Sequence, residues 1–233
     1  MSDSRISVIV PVYNGAAFLR EALLSVLNQT VAPDEIIVVD DGSTDSSAEV
    51  VAAFAPLVRY MAKANGGPAS ARNAGIAAAE HEFLAFIDQD DLWHRAKLER
   101  QLACFAEDPR LDLCYAHVDL FWDAALAAEE QAYRDHRRAR AVPGYSTPTL
   151  LARRSAFERV GPLDVTLRFG DATDWTMRAL EAGLRTMLLP DVLLYHRMHP
   201  ANLTREREPS KREFLRIVRA RLQRMRQGAQ PEA

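Results

Sequence analysis

No stretch of this sequence holds the roughly 20 consecutive apolar residues of a membrane-spanning helix, and no basic segment followed by an apolar run precedes Ile6. The expectation is a cytoplasmic protein that folds in water. Cysteine is scarce too: Cys104 and Cys114 are the only two. That excludes a disulfide scaffold and a thiolate metal centre, and leaves both as buried thiols. Also missing are a GxGxxG after the first strand-like run and a GxxxxGK[ST] loop, the glycine patterns that admit a dinucleotide or cradle a nucleoside triphosphate. No repeat, low-complexity tract or linker-like stretch divides the 233 residues, a length suited to one α/β domain with a short tail.

A surplus of positive charge is lacking over most of the chain. Residues 203–226 carry nine Lys and Arg against three Glu, a surplus of six, so the remainder carries a net charge of -9 to reach the formal net charge of -3. That division argues against a nucleic-acid binder built on the main body and leaves the tail as the contact for an anionic surface.

The stretch LAFIDQDDLW, Leu84 to Trp93, organises what is present. Its apolar run suits a buried parallel strand, and Asp88, Asp90 and Asp91 crowd the carboxyl end. Such clustered carboxylates repel unless compensated. They suit Mg²⁺ or Mn²⁺ completed by substrate phosphates, or else a solvated turn whose aspartates cap a helix.

The flanking segments predict alternating strands and helices. Ile6 to Val10 reads as a strand ending at Pro11, and Asn14-Gly15 as a turn. A helix follows, with Phe18, Ala22, Leu23, Val26 and Leu27 on its apolar face. Ile36 to Val39 reads as a second strand, capped by Asp40 and Asp41, with Ser43 or Thr44 opening a helix over about residues 45–54. Leu57 to Met61 is a weaker strand; Gly66-Gly67-Pro68 leads into a small-residue helix, Ala69 to Ala79. Three strand ends thus carry polar clusters, and in an open α/β sheet with right-handed crossovers those ends share one ligand-binding edge.

Beyond Trp93, the pattern predicts a helix over Lys97–Glu107, a strand over Leu111–Leu120, and a partly exposed helix or flap over Asp123–Val142. A small helix falls in RRSAFERVGPLD and another opens with Asp171 and Asp174 and stops at Gly183. Short strands at Leu184–Leu189 and Val192–Tyr195 precede the basic tail.

In their order, PVYN (11–14), VVDDGSTD (38–45), NGGPASARNAGI (65–76) and FIDQDDLW (86–93) resemble the motifs of family 2 glycosyltransferases with the GT-A fold. The likeness runs through DWTMRALEAG to about Thr204. It implies a Rossmann-like, mostly parallel sheet flanked by helices, with a nucleotide-sugar half at 1–93, an acceptor half at 94–204, and a C-terminal helix and tail at 205–233. It also implies metal-assisted, inverting transfer from a UDP- or dTDP-sugar to a saccharide, lipid-linked or other hydroxyl acceptor, in polysaccharide or cell-envelope assembly.

By that resemblance Pro11, Tyr13 and Asn14 line the donor-base pocket, Asp41 meets the base, and Gly67 shapes the loop beneath the donor. Asp90 is the principal ligand of Mn²⁺ or Mg²⁺, and Asp88 stands near the ribose or the metal. Arg72 contacts the diphosphate or pairs with Asp41 or Asp88. His199, accompanied by Asn202, reaches phosphate or metal or is a structural hydrogen-bonder. The base is where the chain departs from the family: aligning Asp174-Trp175 puts Ala172 on the usual carboxylate, so Asp171 or Asp174 must serve, or turnover is weak. The alternatives are a nucleotide-sugar-binding module that has lost turnover and, without its basic glycine loop, a nucleotidyltransferase. In the tail, Phe214, Leu215, Ile217, Val218, Leu222 and Met225 form an apolar stripe that packs on the domain, pairs two subunits, or lies at the inner face of a membrane.

Overall fold

The computed structural model describes residues 5–134, 141–205 and 207–228. Strand β1 (Ile6–Val12) is buried along its whole length, between β2 (Glu35–Asp40) and β4 (Phe83–Phe86), both parallel to it. Side chains alternate across a strand, so one register feeds two cores. Ile6, Val8, Val10, Ile36, Val38, Phe83 and Ala85 face helices α1 (Leu19–Leu27), α2 (Ser47–Ala52) and α4 (Lys97–Glu107). Ile9, Ile37, Val39, Leu84 and Phe86 face α3 (Pro68–Ala78), α6 (Arg154–Val160) and α7 (Asp171–Glu181). Burial on both faces is why these strands are continuous apolar runs. The small residues of α3 allow close packing: a Cβ on Gly75 would lie 2.4 Å from Ile9.

The sheet continues through β8 (Leu151–Arg153), β6 (Leu113–Trp122), β9 (Thr186–Met198) and β5 (Leu92–Trp93). On the other side β3 (Arg59–Ala62) forms the edge, and β7 (Val142–Gly144) pairs with β6. Of the nine strands among the described residues, β5, β7 and β8 run against the other six, so the sheet is mixed but mostly parallel.

Several local expectations need correction. Pro11 does not end β1, which pairs with β2 as far as Val12. Ile9 accepts the N–H of Ile87, the last bond on that side, so the N–H that Pro11 lacks faces a gap where β4 has stopped. The two short strands expected after Gly183 are one strand, β9, carried past Pro190 by a register shift at Ala116–Val118 of β6. Helix α2 is not opened by Ser43 or Thr44; Asp45 accepts the N–H of Ser47 at 3.0 Å. Of the segment read as a flap, α5 (Ala127–Tyr133) is helical, and 135–140 lie outside the described residues.

The tail forms α8 (Arg207–Gly228). Its expected single stripe is split. Ile217 is buried against the domain, whereas Phe214, Leu215 and Leu222 are about half exposed on the outer side; the Met225 side chain lies outside the described residues. No described helix is long and apolar enough to cross a membrane.

Candidate active site

The carboxyl ends of β1, β2 and β4 meet at one edge, and three loops there are tied together by side chains. Gln89, between Asp88 and Asp90, accepts the N–H of Tyr13 at 2.7 Å and donates to its C=O at 3.1 Å. Gly15 makes room for that clip, since a Cβ would stand 2.4 Å from Gln89 Oε1. Asn14, in the left-handed region at φ 50°, accepts the N–H of Thr44 at 2.8 Å. Tyr13 stays half exposed at the rim.

Asp41 is buried beneath the glycine loop. It accepts the N–H of Gly67 at 2.7 Å, that of Gly66 at 3.0 Å and the Lys63 ammonium at 2.5 Å. Gly67 has φ 85°, which glycine adopts without strain. Asp40 is spent elsewhere, on the Ser43 N–H at 2.7 Å and the Tyr60 hydroxyl at 2.6 Å.

The three carboxylates after β4 diverge to three partners. Asp88 takes Arg72 Nη2 at 2.7 Å. Asp90 lies 2.8 Å from His199 Nε2 and 3.4 Å from Asn202 Nδ2. Asp91, fully buried, lies 2.7 Å from His196 Nδ1 and accepts the Arg197 N–H at 3.1 Å. Burial pushes Asp91 up to about 6 although His196 draws it down. His196, which burial would lower, is lifted to about 9 by Asp91. Each favours the other's charged form, which makes the pair a brace beneath the Asp90 loop. Arg197 adds to it, donating to Asp90 O at 3.0 Å with its guanidinium 4.7 Å from the centres of both Phe18 and Phe121 rings.

No three His, Cys, Asp or Glu side chains among the described residues converge as a metal cage. Asp90 with His199 is nonetheless a fitting donor set for a divalent cation whose other ligands come from substrate phosphates, the usual arrangement for such cations.

Asp171 is the first residue of α7, thrown inward by Gly170 at φ 73°. Its carboxylate accepts Arg72 Nη1 at 2.9 Å. Arg72 is itself buried. Burial opposes its charge, but Asp88 and Asp171 together outweigh that and hold it protonated well above the ordinary arginine range; its Nε has no hydrogen-bond partner among the described residues. Asp174 points elsewhere and accepts Arg178 Nε at 2.8 Å. Ala172 adds no carboxylate; its C=O accepts the Thr176 hydroxyl at 2.8 Å.

The fold thus assembles Asp88, Arg72 and Asp171 in one cluster and Asp90, His199 and Asn202 in another. It separates Asp174 and Asp40 from both. Lys63, Gln89 and Arg197 were not anticipated from sequence. Gln89 carried a signal, its place between Asp88 and Asp90; Lys63 and Arg197 act through partners distant in sequence.

The glycosyl transferase family 2 model matches residues 7–161, the segment holding the polar ends of β1, β2 and β4. The chain belongs to that family. Among its relatives are an uncharacterized glycosyltransferase, EpsJ, of Bacillus subtilis, 32% identical over 216 residues, or 85% of this chain and 62% of that protein. Another is alr2836 of Nostoc, 34% identical over 85% of this chain and 66% of that protein. A third, from Rickettsia conorii, is 44% identical over 110 residues, 46% of this chain and 18% of that protein. The chain thus spans less than two thirds of the length of each. The structure of S. aureus TarS 1-349 in complex with UDP-GlcNAc superposes with a TM-score of 0.72 at 23% identity, over 93% of this chain and 65% of that one. That likeness establishes the shared GT-A-like fold of this family 2 chain.

Proposed function

We propose that this family 2 chain is an inverting glycosyltransferase that passes a sugar from a UDP- or dTDP-linked donor to an acceptor hydroxyl. The observation that carries the reading is the buried Arg72 fork, which joins Asp88 on the donor edge to Asp171 at the head of α7. The UDP-GlcNAc bound to TarS favours UDP as the nucleotide.

In this reading Pro11, Tyr13 and Asn14 wall the base pocket, and Asp41 meets the base N–H while holding Gly66 and Gly67 under the ribose. Arg72 turns its guanidinium to the diphosphate, where a fork of N–H donors suits phosphate oxygens and stabilises the charge that grows on the leaving group. Asp90 with His199, joined by Asp88 once Arg72 turns to the diphosphate, would hold Mn²⁺ or Mg²⁺, which would neutralise further charge there. Asp171 takes the proton from the acceptor hydroxyl as that oxygen bonds to the anomeric carbon. The bond from carbon to phosphate oxygen breaks on the opposite face. One displacement inverts the configuration and needs only this one base, so Asp171 replaces the carboxylate that Ala172 lacks. Asp174 is bound to Arg178 and braces the helix.

The acceptor is a saccharide, lipid-linked or other hydroxyl compound. On the outer side of α8, exposed Phe214, Leu215 and Leu222 are flanked by exposed Arg212 and Arg219. That combination matches an anionic lipid surface.

UDP release from a panel of UDP-sugars, with saccharide and lipid-linked acceptors, tests the function. Turnover dependent on donor and acceptor is expected. UDP binding without release from any donor would instead make the chain a nucleotide-sugar-binding module.

A further inference from the structure

The loop between α6 and α7 is gripped at both ends by different helices. Its beginning is pinned to α3, where Asn73 accepts the Leu163 N–H at 3.0 Å and donates to the Leu163 C=O at 2.9 Å. Its end is held by α8. Glu213 Oε2 accepts the Phe169 N–H at 2.6 Å. Ile217 is buried with its Cδ1 against Gly170, so close that a Cβ on that glycine would lie 2.8 Å away. Arg216 donates to the Thr166 hydroxyl at 2.6 Å, and Arg224 to Glu181 on α7 at 2.7 Å.

We propose that α8 positions the base: Glu213 and Ile217 fix the Phe169–Gly170 turn and thereby set where Asp171 presents its carboxylate. The inference rests on Asp171 being the base. Asp171 follows directly on Gly170, whose left-handed φ of 73° aims the first residue of α7 inward. Among the described residues the Asp171 carboxylate is held from inside by the Arg72 ion pair, and the turn that carries it is held from outside by the α8 contacts. When the donor diphosphate draws on Arg72, the inner constraint slackens just as the acceptor must be met. The α8 contacts then hold the turn. A displacement of about 1 Å at a reacting group can cost about 100-fold in rate, so a grip at this turn has leverage on turnover and little on donor binding. The basic tail, which lies beyond the matched residues 7–161, thereby gains a part in the reaction.

The test uses the full chain with Glu213→Ala and Ile217→Ala, singly and together, compared with Glu213→Gln, whose amide oxygen can still accept the Phe169 N–H. UDP release is measured at saturating donor and UDP affinity is measured by calorimetry. The double variant is expected to lose about 10-fold to 100-fold in kcat with donor KM and UDP Kd near wild type, and Glu213→Gln to recover most of the rate. In an Asp171→Asn background the same substitutions should cause no further loss, because they act through that carboxylate. Unchanged kcat in the double variant, with Asp171→Asn inactive, overturns the role of α8 alone. So does an equal loss in the Asp171→Asn background, or a parallel loss of UDP affinity. Full turnover by Asp171→Asn overturns the base assignment and this proposal with it. If the double variant fails to fold by circular dichroism, the contrast between Glu213→Ala and Glu213→Gln decides on its own, equal rates overturning the proposal.

Discussion

Arg72 on α3 and Asp171 at the head of α7, 99 residues apart in sequence, form a buried 2.9 Å ion pair, and the other end of the same guanidinium holds Asp88 at 2.7 Å. Lysine cannot reproduce that fork, since its ammonium is a point charge on a single stem. Arg72→Lys should therefore lose about 100-fold or more in turnover, the scale of removing a donor aimed at developing charge. Arg72→Met should also lose stability, up to about 3 kcal/mol, because it strands the buried Asp171 carboxylate. UDP release and urea unfolding separate the two effects. Wild-type turnover in Arg72→Lys would count against any role at the diphosphate.

Metal dependence should appear in donor binding. UDP titrated calorimetrically with Mn²⁺ is expected to bind at least about 10-fold more tightly than in EDTA, as bridging by a cation would require. Asp90→Ala should abolish that difference while its circular dichroism stays native-like. Equal affinity with and without Mn²⁺ would remove Asp90 and His199 from a metal role.

How much of this was legible in the sequence depended on range. The strands of the first half were, because burial on both faces leaves unbroken apolar runs such as Val8–Val10 and Ile36–Val39. Asp88 and Asp90 stood out because they follow such a run. What Asp88 touches is half legible: Arg72 is a partner the sequence offers, but nothing local points from Arg72 to Asp171. The antiparallel pairing of β5 with β9, which brings His196 to Asp91 and His199 to Asp90, depends on a return of the chain about a hundred residues later. The tail reads as one stripe because Ile217 and Leu222 both fall near a helical period, yet Ile217 is buried and Leu222 is half exposed.

Lys97 carries a pH dependence of stability. Its ammonium is buried, 4.3 Å from the Trp93 ring centre and 2.8 Å from Gln101 Oε1, and burial pushes its pKa down to about 7 from 10.5. Between those values the unfolded chain binds a proton that the folded chain does not, so this residue makes stability rise with pH across that window. The burden is complete below about 7, where the buried amine must be charged. Urea midpoints from pH 6.5 to 9.5 should therefore climb more steeply in the wild type than in Lys97→Met; parallel curves would contradict this.

The outer face of α8 should bind lipid. Flotation with vesicles containing phosphatidylglycerol, but not with pure phosphatidylcholine vesicles, is expected, weakened by salt and lost in Leu215→Glu/Leu222→Glu. Absence of flotation would reject the assignment. A dimer by light scattering that the same substitutions dissolve would give the face to a second copy.

The base assignment is tested most directly by turnover in Asp171→Asn, with UDP affinity measured alongside. Asparagine keeps the size and can still accept a hydrogen bond from Arg72, so UDP should bind nearly as in the wild type. Turnover should fall about 10²-fold to 10⁴-fold, the scale of losing a general base. Asp174→Asn, which loosens the contacts to Arg178 and Arg224, should do far less. Near-wild-type transfer by Asp171→Asn, with collapse in Asp174→Asn, would contradict the assignment.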